Sequence, residues 1–131
     1  MREILFRGKR VDNGEWIYGM PCATEKSGIY AIQTLCGGIF DIIPETIGQY
    51  TGLKDKTGTK IFEGDIIESV FIKKLYLVYF GEHLFDGYDG ERYACGWYNE
   101  DDCGFVTEIC CPDTWAIVIG NIHDNPELLE G

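Results

Sequence analysis

Apolar residues in this chain recur at every second position over short runs, and glycines or polar turn formers separate one run from the next. That spacing is the period of strands with one buried face. Residues 4–7 open a strand that can extend to Val11, Asp12-Asn13-Gly14 supplies a turn that tolerates positive φ, and residues 15–19 return as a hairpin. A strand over residues 29–32 follows Ser27-Gly28, Gly37-Gly38 resets the direction, and residues 39–43 run back. Pro44 to Gly52 interrupts the alternation. Proline suits a first helical turn and Gly52 a helix stop, so a short helix or 3-10 turn is predicted there.

Asp55-Lys56-Thr57-Gly58 reads as a turn, residues 60–62 as a short strand, and Glu63-Gly64-Asp65 as a bend. The runs 66–71 and 75–80 lie at hairpin distance and form the firmest predicted pair, their two apolar faces implying a central place or an oligomer contact. Residues 81–103 mix Gly81, Gly87, Gly90 and Gly96 with acidic and aromatic residues, which predicts a long exposed excursion or an irregular hairpin. Two closing strands, 104–111 and 114–120, are joined across Pro112-Asp113. Asn125 before Pro126 predicts a terminal helical turn packed by Leu128 and Leu129. The expected fold is therefore a single mainly β domain, a partly open or SH3-like barrel of short antiparallel strands with extensions over residues 1–131.

Composition narrows this picture. A chain of 131 residues, 45% hydrophobic, has material for one sizeable core, and its 17 glycines and 14% aromatics favour strands over a helical bundle. No apolar run approaches the roughly 20 residues that span a bilayer, and Arg2, Glu3, Arg7, Lys9 and Arg10 interrupt any signal-peptide core. No membrane association and a cytoplasmic location, in a bacterial host, are expected. The formal net charge is −11, and residues 82–131 hold twelve acidic side chains against the single Arg92. A surface of that sign repels phosphates, which disfavours nucleic-acid binding. The cysteines, Cys22, Cys36, Cys95, Cys103, Cys110 and Cys111, contain no Cys-x-x-Cys pair, so reduced thiols are expected rather than structural zinc.

Several separated blocks carry a resemblance. Met1-Arg2-Glu3-Ile4 with Phe6-Arg7-Gly8, the Asn13-to-Gly19 hairpin, the run from Ile43-Pro44-Glu45-Thr46 to Gly64-Asp65-Ile66-Ile67, and the ending Ile119-Gly120-Asn121-Ile122-His123-Asp124-Asn125-Pro126-Glu127-Leu128-Leu129 together look like the YopX family of phage and prophage proteins. The resemblance implies a small, mainly β phage protein and assigns no activity. Residues 82–113, with four of the six cysteines, lie outside the matching blocks.

Catalytic and metal-binding patterns are thin. The two histidines are His83 and His123, and His123-Asp124 fits a turn ahead of a helix as well as any base. Asp86, Asp89 and Glu91 could gather oxygen ligands for a divalent cation, yet their spacing is not that of an EF-hand, and no cofactor is expected. Gly48, Gly52, Gly58 and Gly64 lack the Lys-Ser/Thr ending of a phosphate loop, while Glu63 and Asp65 suit a bend whose carboxylate accepts backbone N–H groups. If one surface binds, Gln49, Tyr50, Lys54, Asp55 and Lys60 are the candidates, although turn geometry alone accounts for that block. The reading favoured is a non-catalytic phage accessory protein that works by protein contact, as a homo-oligomer or with a host or phage protein. An acidic mimic of nucleic acid and a metal-dependent hydrolase of nucleotides or nucleic acid are the alternatives.

Overall fold

The computed structural model describes the backbone of residues 3–23, 30–87, 90–101 and 106–129, and the side chains of these residues other than 23, 30, 82–87, 90–96 and 108. Eleven strands occupy the described residues: β1 Phe6–Lys9, β2 Trp16–Ala23, β3 Tyr30–Thr34, β4 Ile39–Ile42, β5 Gly48–Lys54, β6 Lys60–Phe62, β7 Asp65–Ser69, β8 Leu75–Gly87, β9 Gly90–Asp101, β10 Val106–Glu108 and β11 Ala116–Asn121. Three 3-10 turns accompany them, Pro44–Thr46, Pro112–Thr114 and Pro126–Leu129. The protein is mainly β, and its two antiparallel sheets close no barrel among the described residues.

The chain divides into two units, Met1–Gly52 and Leu53–Gly131. In the first, the strands lie in the order β4-β3-β2-β1-β5, each antiparallel to its neighbour. One sheet face buries Ile32 and Ile42 completely. Gly8 shares that face, and a Cβ there would come within 2.7 Å of the Ile42 Cδ1 methyl. Gly19 is constrained more sharply, since its Cβ would stand 2.0 Å from the Gln33 carbonyl oxygen across the β2–β3 pair. Only a residue without a side chain fits.

In the second unit the order is β10-β9-β8-β7-β11, again antiparallel. Ile61, Ile67, Val78 and Ala116 are fully buried at its centre, with Tyr76, Ile109, Trp115 and Val118 packed around them. Each wholly buried valine or isoleucine contributes about 1.5–3 kcal/mol, and Ile66 and Tyr98 of the same unit are buried as completely. The predicted 66–71 and 75–80 pair is present as β7–β8, with Ile66 opposite Leu77 and Ile67 opposite Tyr76, and β8 is central between β7 and β9.

Three expectations are refined. Pro44 does open a 3-10 turn, but it ends at Thr46; Gly52 lies inside β5 at φ +87 rather than stopping a helix. The segment after residue 80 is a hairpin whose register runs unbroken through twelve pairs, from Tyr76 opposite Asp101 to Gly87 opposite Gly90. The two closing strands exist in shorter form as β10 and β11, yet they are not neighbours: β10 pairs with β9, β11 with β7, at opposite edges of the sheet.

Candidate functional site

Most of the polar side chains buried in the second unit hold turns in place. Asp55 is the centre of one such network. Its Oδ1 accepts the Thr57 N–H at 2.8 Å, the Thr57 hydroxyl at 2.7 Å and the Thr59 N–H at 2.9 Å, and its Oδ2 accepts the Val118 N–H at 2.8 Å. Burial pushes the Asp55 carboxyl up, but donation from Val118, Thr57 and Thr59 outweighs it and leaves the group below its ordinary value of 3.8. The neighbouring Lys56 N–H is donated to the Ala116 carbonyl at 2.8 Å. Asp65 takes the Phe62 N–H at 2.7 Å across the bend, as its place beside Gly64 predicted.

The terminal block works in the same way. Asn121 Oδ1 accepts the N–H groups of His123 and Asp124 at 3.0 and 2.9 Å, and its Nδ2 donates to Asp124 Oδ2 at 3.2 Å. Gly120 leaves room for Asn125, whose Oδ1 would sit 2.5 Å from any Cβ at that position.

One region of the same unit is built differently. A cavity of about 400 Å³ lies over the face of the sheet that carries Tyr76 and Asn99. Tyr76 and Trp115 form one wall, edge to face with ring centroids 5.5 Å apart at 78°. Trp115 is fixed by its Nε1–H, which donates to the Cys110 carbonyl at 2.8 Å. Phe71 and Ile72 form the rim on the β7–β8 turn, and both are exposed, at 73% and 67%. Their backbone is secured from below, since Ser69 Oγ accepts both of their N–H groups at 3.4 Å and the Lys73 N–H returns to the Ser69 carbonyl at 2.8 Å. Lys73 takes φ 56 to close that turn.

Asn99 lines the cavity and is only 2% exposed. Its Nδ2 donates to the Thr107 hydroxyl at 2.8 Å, while its Oδ1 accepts nothing. A buried acceptor without a donor costs about 1–3 kcal/mol, so it is rare unless something else supplies the bond. Ser69, Thr107 and the exposed thiol of Cys110 also line it, and among the described residues no charged side chain does. The described lining offers aromatic and aliphatic surface with hydroxyl and thiol groups beside it.

The sequence candidates fall elsewhere. Gln49 is half-buried opposite Phe6, and Tyr50 is buried, its N–H donated to the Leu5 carbonyl at 2.7 Å. Lys54 is exposed, Asp55 is occupied by the turn, and Lys60 is half-buried on β6. Of the acidic trio, Asp86 and Glu91 are register partners on β8 and β9, and Asp89 lies outside the described residues. Among the described residues no group of three or more His, Cys, Asp or Glu side chains could hold a metal, and no helix is long and apolar enough to cross a membrane. The sequence reading passed over Asn99 and the Phe71-Ile72 pair. Their signals were available: an amide inside an otherwise aromatic strand, and two large apolar residues at a hairpin turn.

Residues 5–130 match the family model described as YopX protein. Among solved structures, the crystal structure of protein EF1440 from Enterococcus faecalis is similar at 25% sequence identity and a TM-score of 0.56, over 98% of this chain and 99% of that one. No curated protein matches the chain.

Proposed function

The chain belongs to the YopX family, and on that premise we propose that it is a non-catalytic phage or prophage accessory protein of the bacterial cytosol that acts by protein contact, in part with copies of itself. One observation carries this reading. Met20, Gln33 and Ile39 are in register across β2, β3 and β4, so their side chains share one face of the first sheet, and Tyr18 lies two residues along on the same face. Tyr18, Met20 and Ile39 are exposed at 44%, 47% and 59%. Single exposed apolar residues are ordinary, whereas a row of them on one sheet face is the composition of a contact surface. Farther along that face Trp16 lies under the Arg7 guanidinium at 4.6 Å, a cation–aromatic pair in which Arg7 is itself buried.

Light scattering of the wild type and of a Met20→Glu/Ile39→Glu double variant tests it. The wild type is expected to exceed the monomer mass at micromolar concentration, and the variant to fall to it with its melting temperature unchanged. Co-purification from a lysogenic host provides the second arm, with any partner lost in the variant. A wild type that stays monomeric and brings down nothing the variant does not would end the contact reading.

A further inference from the structure

Cys110 and Cys111 form an exposed pair of adjacent thiols between β10 and β11, and we propose that the pair is a capture site for trivalent arsenic, taken up as arsenite or as an arsonous acid bearing one organic group. The inference goes beyond the contact reading and does not rest on it. Spacing, ligand count and access converge on it.

The two Sγ atoms stand 3.8 Å apart. Cα atoms of adjacent residues are about 3.8 Å apart across a trans peptide, short of the roughly 4.4 Å at which disulfides begin, so a direct S–S bond is disfavoured here. One bridging atom removes that obstacle. Two sulfurs bonded at about 2.3 Å to a shared thiophilic centre lie about 3.8 Å apart at a tetrahedral angle and about 4.6 Å apart on opposite sides, so the pair suits an angular centre better than a linear two-coordinate ion. Ligand count selects among angular centres. Zinc asks its protein for three or four ligands, and among the described residues no group of three or more His, Cys, Asp or Glu side chains could hold a metal. Trivalent arsenic is pyramidal, is soft enough to prefer sulfur and keeps one substituent of its own, so two thiols complete it.

Access and order favour the same site. Both thiols are exposed, and the backbone beneath them is held. The Cys110 carbonyl accepts the Trp115 Nε1–H at 2.8 Å, and the Cys111 carbonyl accepts the Thr114 N–H at 3.0 Å and the Thr114 hydroxyl at 2.7 Å. Cys111 takes φ 46 to make that turn. A pair ordered in advance loses less conformational freedom when the chelate closes. The reaction is a condensation. At each sulfur an S–H and an As–O bond break, an As–S bond forms, and the thiol proton leaves on the departing hydroxide as water, with no electron transferred. The hydrogen bond with the Cys110 thiol, helped by the Cys110 and Asp113 charges, pushes the Cys111 thiol above its ordinary 9.0 and keeps it in the protonated form that this step consumes.

The reduced full chain is titrated with arsenite and, separately, with phenylarsine oxide, which hydrates to phenylarsonous acid. Remaining thiols are alkylated with iodoacetamide and located by mass spectrometry. The expected result is one arsenic per chain, Cys110 and Cys111 protected together, and exposed Cys36 of the first unit alkylated as in the untreated protein. The adduct should survive excess 2-mercaptoethanol and be released by 2,3-dimercaptopropanol. Uptake of phenylarsine oxide without arsenite narrows the ligand to the organic form. Cys110→Ser and Cys111→Ser, both at exposed positions, should weaken binding about hundredfold at an unchanged melting temperature, because a single thiol loses the intramolecular second bond.

No arsenic retained at micromolar phenylarsine oxide, retention undiminished in either serine variant, or protection that falls on Cys36 instead of the pair each overturns the assignment. The oligomeric state does not enter these readouts, so this site and the contact reading each survive the other's failure.

Discussion

Asp55 and Asn99 are both buried polar side chains of the second unit, and they end in opposite states. Asp55 accepts four hydrogen bonds, from its own turn and from β11. Asn99 makes one, and its oxygen is left over. Burying a polar group is tolerable where the protein returns the bonds that water would have made, and that is the condition at Asp55. At Asn99 it is half met, beside a cavity. The difference separates a buried polar group whose bonds are all returned from one whose bonds are returned only in part, with residues of nearly the same size.

Removing Asp55 should therefore hurt most. Asp55→Ala leaves three backbone N–H groups without their acceptor and is expected to cost about 3 kcal/mol, read as a lower urea midpoint. Gly120→Ala comes next at about 1–2 kcal/mol, because the added methyl displaces the Asn125 side chain that accepts the Asn121 N–H. Acid adds a third test of the Asp55 network. A carboxyl held below its ordinary 3.8 contributes stability that is fully present above that pH and lost as pH falls through the lower folded-state value. Asp55→Asn should accordingly be less stable than the wild type at pH 7, with the gap narrowing below about pH 4.

Asn99→Leu sharpens the contrast from the other side. Removing a half-satisfied amide in favour of an apolar side chain of similar size should change stability by less than about 1 kcal/mol, in either direction. Phe71→Ser and Ile72→Ser, on an exposed turn, should stay within about 0.5 kcal/mol. An Asn99→Leu loss as large as that of Asp55→Ala would dissolve the comparison.

The strands were legible because their period is local. Alternating residues and Asp-Asn-Gly or Lys-Lys punctuation placed both ends of β1 and β7 and the starts of β2 and β8 within about two residues of where they lie, while β2 runs on to Ala23 and β8 to Gly87. The Asp65 bend was legible too, since its carboxylate reaches only three residues back. Residues 48–54 were misjudged because a glycine at positive φ serves a helix stop and a strand irregularity equally well, and the pairing of Phe6 with Gln49 decides between them. The order of β10 and β11 depends on contacts far apart in sequence. The same limit hid the cavity: Ser69, Tyr76, Asn99 and Thr107 meet only once the registers of four strands are set. An orphaned acceptor is a property of that assembly and leaves no trace in residue spacing.

The turn that carries Asp55 has a second effect, on the flank of β11. Strand β11 is the last of its sheet, and the outward-facing Val118 N–H and Ala116 carbonyl would offer a stranger's backbone a place to zip on. Asp55 and Lys56 claim both positions first. An internal loop thus works as a doorstop against fibrous stacking, closing a bare edge that would accept any backbone.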